Sequence, residues 1–337
     1  MPFVGSRFTV LLLIFLGVPF LWLLWLVMYA ITPGPPSDAK RIEVVIPSSR
    51  SLPAIKKILA ENKVIADDPR FSMLAVLTGA AAKLRAGEYA FEPGMKPLEV
   101  LELLENGKVL YRAVTIPEGT EMAQVAEILA ADGWIDSQQF LDLAQDPEVL
   151  ESMEIDADSL EGYLFPDTFY LSRGQQDEVE IIRMMVNRHF QVYNDIVKNS
   201  GHDLPALSHH EIITLASIVE KETGNPDERP LVASVFMNRL ARGMRLQADP
   251  TVRYGLKEPA GSLTQNDLKN PTPYNTYVIS GLPPGPITNP GKASIEAAIS
   301  PAPSDYLYFV AKDETSHYFS RSLKEHNSAI TKYRKSK

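Results

Sequence analysis

Glu220 and Glu222 place two carboxylates near the end of the apolar run ASIVEKETG, residues 216–224. At about 100° per residue, Ile212, Leu215, Ala216 and Val219 form one face of a helix. Glu220 falls beside that face, flanked by Ile213 and Ala216, and Glu222 falls at the other edge, near Leu215 and Ile218. Both sit in the last turns, where the free backbone carbonyls of a helix disfavour a negative side chain. Partial burial acts in the same direction. A carboxyl kept neutral near neutral pH is what a general acid needs to protonate a glycosidic oxygen as its bond breaks. Periodicity does not choose between the two glutamates, and it equally allows surface residues facing Lys221, Arg229 or solvent.

Other chemistries find less support. The adjacent His209 and His210 diverge by about 100° around a helix, whereas metal ligands on a helix recur one turn apart. Glu211 is the acidic partner of Ser208 in a capping box, and His202, His317 and His326 are scattered, so neither a metal nor a cofactor is expected. The chain has no cysteine and no G-x-S-x-G elbow, which leaves a nucleophilic serine or thiol mechanism without a motif.

These candidates lie in 337 residues with 45% hydrophobic content and a formal charge of −9, enough for two domains. An acidic chain without a basic run is not expected to bind nucleic acid. Residues 8–31 carry no charge and would extend about 36 Å as a helix, enough for a bilayer core of about 30 Å. Trp22, Trp25 and Tyr29 mark the exit interface, and no small-x-small cleavage site precedes Thr32, so an uncleaved anchor is expected. Arg7 and the amino terminus favour a cytoplasmic tail of residues 1–7. The linker, residues 32–40, is Pro-rich and should act as an extended spacer holding the next domain off the membrane.

The fold class expected for the remainder is α+β. Residues 45–65 and 115–135 superpose without a gap, each reading strand, turn, amphipathic helix. With the strand and helix of 86–109 they suggest a small α+β module over residues 41–150. The second half, residues 151–337, carries helices over 177–198, 208–223 and 227–242, the last stopping at Gly243. A Pro- and Gly-rich interval, 271–291, reads as a wall or lid, and the end as a hairpin (306–311 with 317–320) followed by a helix capped by Ser322 and Glu325.

The stretch ASIVEKETGNPDERPLVASVFMNRLARGMRLQADPTVRYG, with PTPYNTYVISGLPPGPITNPG, LEGYLFPDTFY and the late EHN, resembles the bacterial endolytic murein transglycosylases, the YceG-like family. The likeness runs from the anchor to the end, with Thr272 in place of a frequent Ser and a looser "SHYFSRS" as departures. It implies a single-pass protein of the inner membrane with a periplasmic catalytic domain and a LysM-like membrane-proximal module. It assigns the catalytic role to Glu220. Gln247, Asp249, Asn275 and Asn289 lie in motif segments as candidates to bind sugar hydroxyls and N-acetyl groups, and Tyr254, Tyr274 and Tyr277 as candidates to stack on rings; Glu161 and Asp167 are further cleft candidates. Asp249, before Pro250, could equally start a turn.

The implied reaction cleaves the β-1,4 bond between N-acetylmuramic acid and N-acetylglucosamine and leaves a 1,6-anhydro end. The implied cuts are internal, in nascent strands, and penicillin-binding synthases are the expected partners. Two alternatives stand beside it: a non-catalytic peptidoglycan-binding scaffold, and a muramidase using water with Asp249 or Glu161 as second carboxylate.

Overall fold

The computed structural model describes residues 4–334 except 37, 39, 202–204, 257–260 and 314, with side chains from Phe15 to Tyr333. His202 lies outside the described residues. The described chain forms two compact units, residues 1–113 with 170–177, and residues 114–169 with 178–337. The division thus falls at Ala113 and Val114 rather than near residue 150, and the two copies of the internal repeat lie in different units.

In the first unit, α1 (Val4–Ile31) is followed by β1 (Ile42–Ile46), α2 (Leu52–Glu61), α3 (Arg70–Leu77), β2 (Gly87–Phe91) and α4 (Pro97–Asn106). Strands β1 and β2 pair antiparallel, from Ile42 opposite Phe91 to Ile46 opposite Gly87. Val44 and Ile46, two apart, turn inward together onto Ile55 and Leu59 of α2, Phe71 and Leu74 of α3, and Val100 and Leu104 of α4. Proline in the first turns starts α2 and α4, and Gly107, at φ 65°, ends α4 in the left-handed conformation.

Helix α1 has 28 residues. Among the residues whose side chains are described, no helix is long and apolar enough to cross a membrane. The start of the expected spacer is held by the module. Leu26, Tyr29 and Ala30 belong to the core of this unit, and the Gly34 amide donates to the Met95 carbonyl at 3.1 Å. A Cβ on Gly34 would lie 2.7 Å from the Val64 carbonyl oxygen and 2.9 Å from that of Met95, so the chain at Gly34 is laid down against the module. The prolines stiffen the segment, but burying the last turns of α1 decides where it runs.

The second unit opens on the rest of β3 (Arg112–Thr115), then α5 (Met122–Ala131), α6 (Ser137–Leu143), α7 (Pro147–Ser152) and β4 (Thr168–Leu171), which pairs with β3. The repeat is therefore structural: Val125 and Leu129 are buried on α5 as Ile55 and Leu59 are on α2, and each copy returns to a partner strand. Helices α8 (Glu178–Asn199), α9 (His209–Glu222), α10 (Arg229–Ala241), α11 (Asp249–Gly255) and α12 (Lys292–Ile299) follow, then β5 (Tyr308–Ala311), β6 (His317–Ser320) and α13 (Leu323–Arg334).

Helix α9 starts at the expected capping box, with Ser208 Oγ accepting from the Glu211 amide at 3.2 Å and Glu211 accepting from the Ser208 amide at 2.7 Å. Its middle, Ile212 to Val219, is buried on every side because α10, α11 and α12 all pack on it. The one-sided face expected from sequence is thus a fully enclosed helix. Polar groups inside it serve neighbours: Ser217 Oγ accepts from the Ile287 amide at 3.0 Å. Only the ends of α9 reach solvent, so Glu220 and Glu222 emerge where a rigid rod leaves the core.

Candidate active site

Three consecutive charged residues leave the end of α9 in three directions. Glu220 Oε1 accepts from Arg229 Nη2 at 3.0 Å, and its Oε2 accepts from the Gly291 amide at 2.9 Å. Lys221 Nζ donates to the Gly119 carbonyl at 3.2 Å. Glu222 points instead into a cavity of about 300 Å³, which it shares with Arg239, Gln247, Asp249, Tyr277 and His326.

The expectation that the helix end and partial burial govern position 220 meets an ion pair with Arg229, the partner that periodicity also allowed. The Glu220 side chain is 6% exposed, and each of its oxygens accepts from a protein donor. Glu118 stands 3.9 Å from Arg229, its carboxyl pushed up by burial and by Glu220. A Cβ on Gly291 would fall on the Glu118 carboxylate, so a side chain there would have to displace it. This cluster ties α9, α10 and the loop ends at 118–119 and 291 together.

Glu222 has the properties that the sequence reading asked of an acid. Burial, and then the charge of Asp249, push its carboxyl up to about 8, against a pull from Arg239. It keeps partial exposure because the cavity reaches it. A second cavity, about 600 Å³, opens on its other side between Gly224, Asn225, Asp313, Thr315 and His317. Glu222 is common to the lining of both.

The cavity walls are built from motif segments. Tyr277 donates to Asp249 Oδ1 at 2.6 Å, and Asp249 is also the first residue of α11. The alternative of cleft or turn for Asp249 is resolved as both. Gln247 adopts φ 51°, a left-handed conformation costly for a residue with a Cβ, while its amide donates to the Thr276 carbonyl at 3.1 Å. We expect Gln247→Gly to leave stability unchanged or to raise it by up to about 1 kcal/mol, since relief of left-handed strain offsets the entropy of glycine. Activity should fall with loss of the side-chain amide. Denaturant midpoints measured beside turnover check both halves, and a clear loss of stability would contradict the strain.

Six of the candidate binding residues lie elsewhere. Asn275 and Asn289 are fully buried. Asn275 Nδ2 donates to the carbonyls of Asp267, Leu268 and Asn270, and its Oδ1 accepts from the Tyr277 amide. Asn289 Oδ1 accepts from the Leu164 amide and its Nδ2 donates to the Thr120 carbonyl. Both are clamps that hold the irregular 271–291 wall, which lacks regular hydrogen bonding of its own. Glu161, 4% exposed and pushed up to about 8 by burial, accepts from the Met122 amide and from Tyr254 Oη at 3.3 Å. Tyr254 packs on Tyr274, ring centroids 4.8 Å apart, and both are partly buried. Asp167 pairs with Arg188 at 2.7 Å. His209 meets His189, Nε2 to Nε2, at 2.9 Å, whereas His210 meets Tyr163 and the Pro284 carbonyl, so the two do not face one point.

The sequence reading gave no site role to Arg229, Arg239, Tyr308 and His326, naming Arg229 only as a surface partner for the glutamates. Arg239 is buried beside Glu222, donates to the Leu246 and Leu307 carbonyls, and lies over the Tyr308 ring at 5.3 Å; burial lowers its pKa. Tyr308 stacks on His326 at 5.2 Å. A signal existed for the two arginines: Arg229, Val232, Phe236 and Arg239 recur at helical spacing, so both interrupt the apolar stripe of α10.

The model of the YceG-like family matches residues 44–332. The chain belongs to the YceG-like family. Relatives within reach of this YceG-like chain include a Bacillus subtilis protein named endolytic murein transglycosylase, 33% identical over 314 residues, which cover 88% of this chain and 86% of that one. A Streptococcus pneumoniae protein of the same name is 29% identical over 349 residues, which cover 92% of this chain and 62% of the longer relative. Among solved structures, a YceG-like protein from Listeria monocytogenes superposes with a TM-score of 0.58 at 36% identity, covering 86% of this chain and 98% of its own.

Proposed function

We propose that this YceG-like chain is an endolytic peptidoglycan lytic transglycosylase in which Glu222 is the general acid and then the general base. The observation that carries the reading is the position of Glu222, raised to about 8 and lining both a largely polar cavity and a second one. The likeness to curated endolytic murein transglycosylases supplies the substrate.

The steps follow from one carboxyl. Glu222 gives its proton to the oxygen linking C1 of N-acetylmuramic acid to N-acetylglucosamine, and the C1–O bond breaks. The same carboxylate then takes the proton of the muramoyl 6-hydroxyl as O6 bonds to C1 and closes the anhydro ring. The nucleophile is tethered to the sugar it attacks, so no second carboxylate has to activate water. Glycan space on both sides of the acid fits cleavage within a strand. Asp249 and Tyr277 line one side and Gln247 is placed to bind hydroxyl or N-acetyl groups.

Asp249 favours a second reading, since an inverting or retaining glycosidase would use such a neighbouring carboxylate. Two measurements separate them. New ends released from purified glycan should be lighter by one water than reducing ends; only reducing ends would sink the proposal. The pH profile is the other. An acid that titrates near 8 loses its proton as pH rises through that value, so the rate should fall on the alkaline side of about 8. Asp249→Asn removes a charge that raises Glu222 and should move the falling limb to lower pH, with activity retained below it. Complete loss at every pH would favour the water-using enzyme.

Residues 8–31 of α1 form the anchor in this reading, because the sequence there is uncharged and the described side chains from Phe15 to Met28 lie mostly exposed. The amino terminus is then cytoplasmic and the catalytic unit lies outside the inner membrane. The first unit is read as LysM-like, supported by its strand, two helices and antiparallel partner strand. Cuts in nascent strands would place the enzyme beside penicillin-binding synthases.

A further inference from the structure

The last turns of α1 are part of a folded module. Leu26, Tyr29 and Ala30 are buried with Phe71, Leu74 and Ala75 of α3. Arg70, the first residue of α3, lies over the rings of Trp25 at 4.7 Å and Tyr29 at 4.6 Å. Asp68 holds the guanidinium, with Nη2 to Oδ2 at 2.6 Å. Helix α3 is thereby fixed beside the aromatic end of α1.

The outer face of α3 is apolar. Met73, Val76 and Leu77 are 39%, 63% and 60% exposed. Arg70, Met73 and Leu77 recur at i, i+3 and i+7, so the stripe that starts on the α1 aromatics continues as exposed apolar surface. Nearby, Trp22, Trp25 and Met28 of α1 are exposed as well.

Bilayer dimensions say what covers this surface. An uncharged run of 24 residues is about 36 Å long, against a hydrocarbon core of about 30 Å, so the final turn of α1 reaches the interface with little to spare. Trp and Tyr mark that level, where arginine meets lipid phosphates and apolar side chains reach the first acyl carbons. We propose that α3 is a second membrane contact, with Met73, Val76 and Leu77 set into the headgroup–acyl boundary of the leaflet from which α1 emerges. This rests on reading α1 as the anchor. The module then lies on the lipid instead of hanging from a spacer.

The absence of cysteine in the sequence makes the test direct. Single spin labels on Leu16→Cys, Val76→Cys and Lys57→Cys report α1, the α3 face and an exposed face of α2 in the full chain, reconstituted in vesicles of phosphatidylcholine and phosphatidylglycerol. Collisions with oxygen, which concentrates in lipid, are compared with collisions with a water-soluble nickel chelate. The expected result is oxygen-dominated relaxation at 16 and 76 and nickel-dominated relaxation at 57. Nickel access at 76, or shielding from both reagents as a protein partner would give, overturns the proposal while oxygen access at 16 preserves the anchor. Nickel access at 16 overturns the anchor reading itself, and the α3 contact with it.

Discussion

Glu222→Gln is expected to lower turnover of purified peptidoglycan by about 10²–10⁴-fold while leaving the fold intact, whereas Glu220→Gln keeps most activity wherever it remains folded. The contrast follows from what each carboxyl touches. Glutamine at 222 keeps the volume and loses the proton that the leaving oxygen requires. Glutamine at 220 alters an ion pair whose oxygens already face Arg229 and the Gly291 amide. Rates of both variants, measured at a temperature where circular dichroism reports full folding, check the contrast. Reversal of the two effects would return the acid to Glu220.

Arg229→Ala is expected to destabilise the protein by about 3–5 kcal/mol, the cost of leaving a buried carboxylate without its partner. The guanidinium is 9% exposed and stands between Glu220 at 3.0 Å and Glu118 at 3.9 Å. Removing it leaves two carboxylates facing one another with no cation between them. Adding Glu220→Gln to Arg229→Ala should recover part of the loss, and a double-mutant cycle in denaturant measures the coupling. Additive effects would mean that the two side chains do not depend on each other.

Much of the fold was legible because local rules agreed with tertiary demands. The capping box at Ser208, the glycine after α10 and the turn between β5 and β6 fixed ends that packing left in place. The repeat at 45–65 and 115–135 was legible as a pattern of apolar positions, but not that its copies belong to different units, because that depends on which later strands return to pair with them. The start of the spacer was not legible for a related reason: prolines describe how a free segment behaves, and at Gly34 the chain is held by the Met95 carbonyl, next to the buried Tyr29.

The site was half legible. Gln247, Asp249 and Tyr277 come together as the motif segments implied. Asn275 and Asn289 belong to the same segments, yet their amides are spent on backbone groups of a wall without regular structure. The proposal of Glu222 in place of Glu220 rests on Gly291, 71 residues along the chain from Glu220, and on the return of α10, neither of which periodicity within α9 contains.

A ¹³C titration of glutamate carboxyls, assigned by comparison with Glu222→Gln, reads the proton on which the mechanism depends. The predicted result is a midpoint for Glu222 near 8, so that the side chain is protonated at neutral pH. A midpoint in the ordinary carboxylate range would leave position 222 with no proton to give and would contradict the account.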